Sequence, residues 1–73
     1  MTSKEKAKYL ISINTLTILS VIGNKLPMVE VKEIAKQFTL SEVYNIIDLL
    51  SHDINPLVNY WFEVKKEIEN YEF

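Results

Sequence analysis

The fold turns on the stretch Val29-Glu-Val-Lys-Glu-Ile-Ala-Lys-Gln-Phe-Thr-Leu-Ser-Glu-Val-Tyr-Asn-Ile-Ile-Asp-Leu-Leu50. In its first half Val31, Ile34, Ala35 and Phe38 recur at helical spacing and leave Lys32, Glu33, Lys36 and Gln37 outside, which predicts a helix over about 29–38. In its second half Leu40, Val43, Ile46, Ile47 and Leu50 share one broad face, with Ser41, Asn45, Asp48 and His52 opposite. Between the halves, Thr39-Leu-Ser-Glu42 fits a capping box, in which a Thr hydroxyl and a Glu carboxylate satisfy each other's free backbone N–H groups. That pattern predicts that one helix ends at Phe38 and another opens at Thr39.

The strong punctuation of the chain lies on either side of this stretch, at Gly23 to Pro27 and at Asn55-Pro56. A first helix is expected from about Ser3, an N-cap candidate, to Ile22. Gly23 is placed to take the left-handed conformation that ends helices. A last helix is expected with Asn55 as its cap, Pro56 at its first position, and Leu57, Trp61, Val64, Ile68 and Tyr71 as its apolar stripe. The competing pattern, a β-hairpin of Leu57 to Val64 and Ile68 to Phe73, is less favoured because its turn, Lys65-Lys66-Glu67, has neither Gly nor Asn. The fold class expected is therefore all-α, a small bundle of about four helices in one domain.

The first helix is apolar nearly all round. Ala7, Leu10, Ile11, Ile18, Val21 and Ile22 occupy one side, while Tyr9, Ile13, Leu16 and Leu19 occupy the other. A helix of this kind is buried on both sides, and 73 residues supply too few elements to cover both. Surface scaling for 8.6 kDa gives roughly 4,700 Å² exposed when folded against roughly 12,500 Å² unfolded. A lone core of that size leaves only ~3–5 kcal/mol of stability unless disulfides, a metal or a partner are added. The chain has no Cys and one His, so association is the remaining staple, and a homodimer through Tyr9, Ile13, Leu16 and Leu19 is the expectation. Asn14, in the middle of the first face, either fixes pairing register as a buried Asn does in coiled coils or is locally bonded.

Composition narrows the function classes. The net charge is -2, and all eight basic residues are Lys. Arg makes the bidentate contacts to phosphate and guanine, so its absence weighs against specific nucleic-acid reading. The uncharged run Tyr9 to Asn24 contains Ser12, Asn14, Thr15, Thr17, Ser20 and Asn24, so it falls short of the ~20 apolar residues of a membrane span. It also lacks a clear signal-peptide cleavage site. The expectations are a cytoplasmic location and no membrane.

No constellation points to catalysis. The only His stands near Ser51 and Asp53, without the arrangement that activates a nucleophile. Asp48 and His52, four apart, are two side chains rather than a metal site, and one Gly leaves no phosphate loop. Glu63, Glu67, Glu69 and Glu72, mixed with Lys65 and Lys66, read as a solvated helix face. Neither an enzyme nor a cofactor, metal or small-molecule substrate is expected.

From Leu16 to Leu50 the segments Ile18-Leu-Ser-Val-Ile22, Glu33-Ile-Ala-Lys-Gln-Phe38 and Leu40-Ser-Glu-Val-Tyr-Asn-Ile-Ile-Asp-Leu-Leu50 follow in an order that resembles a winged helix-turn-helix core. The resemblance implies that Ile34, Ala35 and Phe38 pack the first helix of the motif. Leu40-Ser41 would start the recognition helix, whose exposed residues enter the major groove. It also implies Lys4, Lys6, Lys8, Lys32 and Lys36 as phosphate contacts. The corresponding reading face, Ser41, Glu42, Asn45 and Asp48, holds no Lys or Arg, and its acids repel the phosphates that dominate affinity. Two functions are thus expected in order. The first is a helical interaction or regulatory module, an adaptor or inhibitor, that offers Ser41, Glu42, Asn45, Asp48 and His52 to a protein. The second is a dimeric DNA-binding regulator that turns the same surface to DNA.

Overall fold

A computed structural model describes residues 1–52 and 55–72 as three α-helices: α1 (Ser3–Ile22), α2 (Met28–Ser51) and α3 (Leu57–Glu69). The all-helical expectation holds, with no strand among the described residues, and the segment read either as helix or as hairpin is α3. The count of four does not hold. The two helices expected to meet at Thr39 are one helix of 24 residues.

Thr39 is why α2 runs through. Neither Gly nor Pro stands between Phe38 and Leu40, and Val31, Ala35, Thr39, Val43 and Ile47 are all buried at intervals of four residues. Thr39 is 0% exposed, and its hydroxyl donates to the Ala35 carbonyl at 2.7 Å, a back-bond that an intact helix accommodates. The same oxygen accepts from Asn14 Nδ2 at 2.7 Å, and Asn14 Nδ2 also donates to Glu42 Oε1 at 2.8 Å. The Thr and Glu of the supposed capping box are thus bonded to α1 instead of to backbone N–H groups. A cap at Thr39 would have discarded the buried hydrogen bonds of α2 for two local ones.

A four-residue interval overshoots a helical turn by about 40°, so the buried stripe of α2 winds from one neighbour toward another. Near its start, Val31 and Ala35 enclose Ile18 of α1, with Leu19, Ile22, Leu26 and Ile34 packed around them. Past Thr39, Val43 and Ile47 join Ala7 and Ile11 of α1 and Val64 and Ile68 of α3. The fully buried Ile11, Val31, Val43, Val64 and Ile68 each contribute about 1.5–3 kcal/mol relative to exposure. α1 and α3 run in the same direction, Tyr60 donating its hydroxyl proton to the Met1 carbonyl and Ile68 reaching Ile11, while α2 runs against both.

The helix ends follow local chemistry. The N-cap of α1 is Thr2 rather than Ser3: Glu5 N–H donates to Thr2 Oγ1 at 3.1 Å, and Thr2 N–H donates to Glu5 Oε1 at 2.9 Å. Gly23 has φ 67° and ψ -131°, a positive φ as expected but outside the left-handed helical basin, and its N–H reaches Leu19 O. α3 opens one residue later than expected, with Pro56 rather than Asn55 at the N-cap position, and Asn55 Oδ1 accepts from Leu57 N–H at 2.9 Å just ahead of it. Tyr71, expected inside that helix, lies just past its end and still packs on the core.

Two predictions follow from these contacts. Thr39→Val and Asn14→Ala each lower stability by about 1 kcal/mol, and the double variant loses less than the two losses together, because the pair shares one hydrogen bond; chemical denaturation of the four proteins measures this. The bond from Thr2 N–H holds the Glu5 carboxyl below its ordinary value of 4.5. A lowered folded-state value stabilises the fold above pH 4.5 and loses that contribution as pH falls through the lowered value. Glu5→Gln removes this part of the acid sensitivity, leaving a shallower decline in thermal midpoint below pH 4.5.

Candidate functional site

α3 is too short to accompany the hairpin of α1 and α2 along its full length. At 1.5 Å per residue α2 spans about 36 Å and α3 about 20 Å. The molecule is accordingly elongated, 44 × 20 × 17 Å, with a radius of gyration of 13.2 Å against about 11 Å for a compact domain of this length. Its surface is 5259 Å², about 560 Å² above the roughly 4,700 Å² of a compact monomer. Large apolar side chains are among those exposed.

On α1, Tyr9, Ile13 and Leu16 are 49%, 41% and 67% exposed and lie one helical turn apart along the outer side. Leu19, expected with them, is partly buried against the Ile18–Val31–Ala35 cluster, because at 100° per residue it stands 60° round from Leu16 toward α2. The stripe therefore consists of three residues. It adjoins an apolar groove between α1 and α2, about 250 Å³, lined by Thr17, Ile18, Val21, Ile22, Ile34 and Phe38. Ile13, Thr17 and Val21 follow one another at four-residue spacing, which joins stripe and groove on one face.

Phe38 and Val21 were both expected in the core, and both are outside it, 55% and 79% exposed. For Phe38 the cause is the winding stripe of α2, which gives the core position to its neighbour Thr39. Val21 sits in the last turn of α1, beyond the reach of α3. The strict interval Val31, Ala35, Thr39, Val43, Ile47 was the signal in the sequence that could have found this groove.

The polar strip of α2 is outside as expected, Ser41, Glu42, Asn45, Asp48 and His52 all being exposed. They are not equivalent. Glu42 is held by Asn14, whereas Asp48 and His52 face each other at 4.0 Å in a solvated pair. Asp53, read as a neighbour of His52, lies outside the described residues. Among the described residues no cluster of three or more His, Cys, Asp or Glu could hold a metal. No described helix is long and apolar enough to cross a membrane.

Four of the lysines expected at phosphates, Lys4, Lys8, Lys32 and Lys36, lie around Tyr71 and Glu72, and Lys6 stands apart from them. Lys36 Nζ donates to the Glu69 carbonyl at 3.1 Å and reaches the Tyr71 carbonyl at 3.5 Å, which satisfies the C-terminal end of α3. Lys6 Nζ lies 5.6 Å from the Tyr9 ring and 5.9 Å from the Trp61 ring, within cation–π range. Lys4 and Lys8 border a cleft whose other wall includes Glu67 and Glu72. Lys32 borders an adjoining cleft that shares Tyr71 and Glu72 with the first. Comparisons with protein-family models, with curated proteins and with solved structures each found no match.

Proposed function

We propose that this protein is a small helical protein-interaction module that associates through the outer face of α1 and offers the polar strip of α2 to a protein partner, as an adaptor or inhibitor does. The carrying observation is the uncovered apolar face of Tyr9, Ile13 and Leu16 continued by the groove at Val21 and Phe38. Scattered apolar side chains are ordinary on a protein surface, but a contiguous stripe and groove along the uncharged run from Tyr9 to Ile22 support an interaction site. Self-association also supplies the stabilisation that so small a core lacks.

Three features favour a protein over DNA as the ligand of α2. Residues 40–45 lie in the middle of a continuous helix beside α1, whereas a recognition helix presents residues near its own free start to the major groove. The strip carries Glu42 and Asp48 and no cation. Of the lysines, Lys36 is engaged at the end of α3 and Lys6 lies over two rings, which draws both toward the protein's own groups.

Sedimentation of the free protein should give a dimer or larger species at micromolar concentration. Leu16→Glu should shift association into the millimolar range, since an unpaired carboxylate in such an interface costs several kcal/mol. Its helical circular dichroism should be unchanged, because Leu16 is two-thirds exposed. A wild type that stays monomeric at high micromolar concentration would overturn the self-association.

Selection from a random duplex library tests the ligand of α2. Affinity no better than about 10⁻⁴–10⁻⁶ M and no enriched sequence are expected. Recovery of a palindromic site bound at nanomolar affinity, lost in Asn45→Ala, would replace the protein partner by DNA.

A further inference from the structure

Four of the eight lysines meet where α3 ends. Lys4 and Lys8 stand one turn apart on α1, and Lys32 and Lys36 one turn apart on α2. The α1 pair borders a cleft of about 310 Å³ with Glu67, Asn70, Tyr71, Glu72 and the buried Ala7. Lys32 borders the adjoining cleft of about 400 Å³, which Ile11, Thr15 and Leu16 share with the same Tyr71 and Glu72. Lys36 donates to the carbonyls of Glu69 and Tyr71, neutral acceptors that leave its charge uncancelled.

The neighbouring acids are mostly turned elsewhere. Glu69 pairs with Lys65 at 3.8 Å, Glu5 is bonded within the cap of α1, and Glu30 and Glu33 border neither cleft. Glu67 and Glu72 are the carboxylates of the two linings. Four lysines against these two leave two positive charges here, so with a total of -2 the rest of the chain carries four negative ones. This is a basic face on an acidic protein. A phosphate backbone is best met by an unbroken run of cations, and Glu67 and Glu72 interrupt this one. A protein segment carries its carboxylates singly, with apolar side chains between them, for which Ile11, Leu16 and Tyr71 supply apolar walls.

We propose that the two clefts form a docking channel for an acidic segment of a protein partner, its carboxylates meeting Lys4 and Lys8 and an apolar side chain entering beside Ile11 and Tyr71. The channel is a second surface, distinct from the association face of α1. Lys8 and Lys4 stand about 140° and 180° round α1 from Ile13, and of the outer stripe only Leu16 reaches the channel's rim. It also lies opposite the polar strip of α2, since Asn45 and Asp48 stand about 180° and 160° round that helix from Lys36 and Lys32. An adaptor so built meets partners of opposite charge on opposite sides.

Lys4, Lys8 and Glu72 are exposed, so substituting them leaves the fold intact. The probe is a fluorescent peptide of repeated Glu-Glu-Leu, titrated with the protein and followed by anisotropy. Lys4→Gln combined with Lys8→Gln should weaken its binding about fivefold, as the loss of two exposed ion pairs does. Glu72→Gln, which removes a competing carboxylate, should strengthen it, and Lys25→Gln, outside both clefts, should leave it unchanged. Raising the salt from about 0.05 M to about 0.5 M should weaken the wild type and shrink these differences. The opposite signs at Lys4 and Lys8 and at Glu72 are what a merely structural role would not produce. A peptide that fails to bind at millimolar protein, or binds with an affinity that none of the three positions alters, would overturn the channel. Duplex DNA bound more tightly than the peptide through the same lysines would overturn it in favour of nucleic acid. Sedimentation of the free protein reads the α1 face separately, so the channel and the self-association stand or fall independently.

Discussion

The hydroxyl of Thr39, buried in the middle of α2, accepts a hydrogen from Asn14 and gives its own to Ala35. That oxygen marks the level at which the bundle changes character. On one side of it three helices share Ala7, Ile11, Val43, Ile47, Val64 and Ile68, and on the other α1 and α2 pack only on each other through Ile18, Val31 and Ala35. A polar group in so small a core is tolerated only because every atom is paired, and no buried side-chain nitrogen or oxygen among the described residues lacks a partner. The bond also locks the register of α1 on α2, since a shift of one turn would leave Asn14 and Thr39 facing apolar neighbours without partners.

The proposed site follows from the same constraint. Because α2 passes through Thr39 as one helix, it extends well beyond the end of α3, and the far half of the hairpin has apolar side chains with nothing to cover them. Phe38 and Val21 face outward there, and Ile13 and Leu16 continue the surface along α1.

The lysines illustrate how tertiary contacts reassign charges. Lys36 serves as a C-terminal cap for a helix more than thirty residues away in sequence, and Lys65 sits 5.0 Å from the Tyr44 ring while pairing with Glu69 at 3.8 Å. Each such contact removes a cation from the set free to meet an outside anion. The exposed strip of Ser41, Glu42, Asn45, Asp48 and His52 on α2 is polar and acidic.

Much of this was legible in the residues themselves. Periodicity identified the helical class, Gly23 and Asn55-Pro56 bounded the helices within a residue or two, and the outward faces of Tyr9, Ile13 and Leu16 and of Ser41, Asn45, Asp48 and His52 followed from counting turns. These are local properties, set by 3.6 residues per turn and by the backbone needs of helix ends. What only the tertiary structure decided was the fate of Thr39. As a lone segment, Thr39-Leu-Ser-Glu42 has the composition of a helix start, and a start and a buried mid-helix position differ only in what the side chains meet. Asn14, twenty-five residues earlier, supplied the partner that made the second outcome the more stable. With it came the single long α2, the outward turn of Phe38 and Val21, the inward turn of Leu19 and the groove between α1 and α2, because each depends on which helix stands opposite and for how many turns, a distance that periodicity along one chain does not encode.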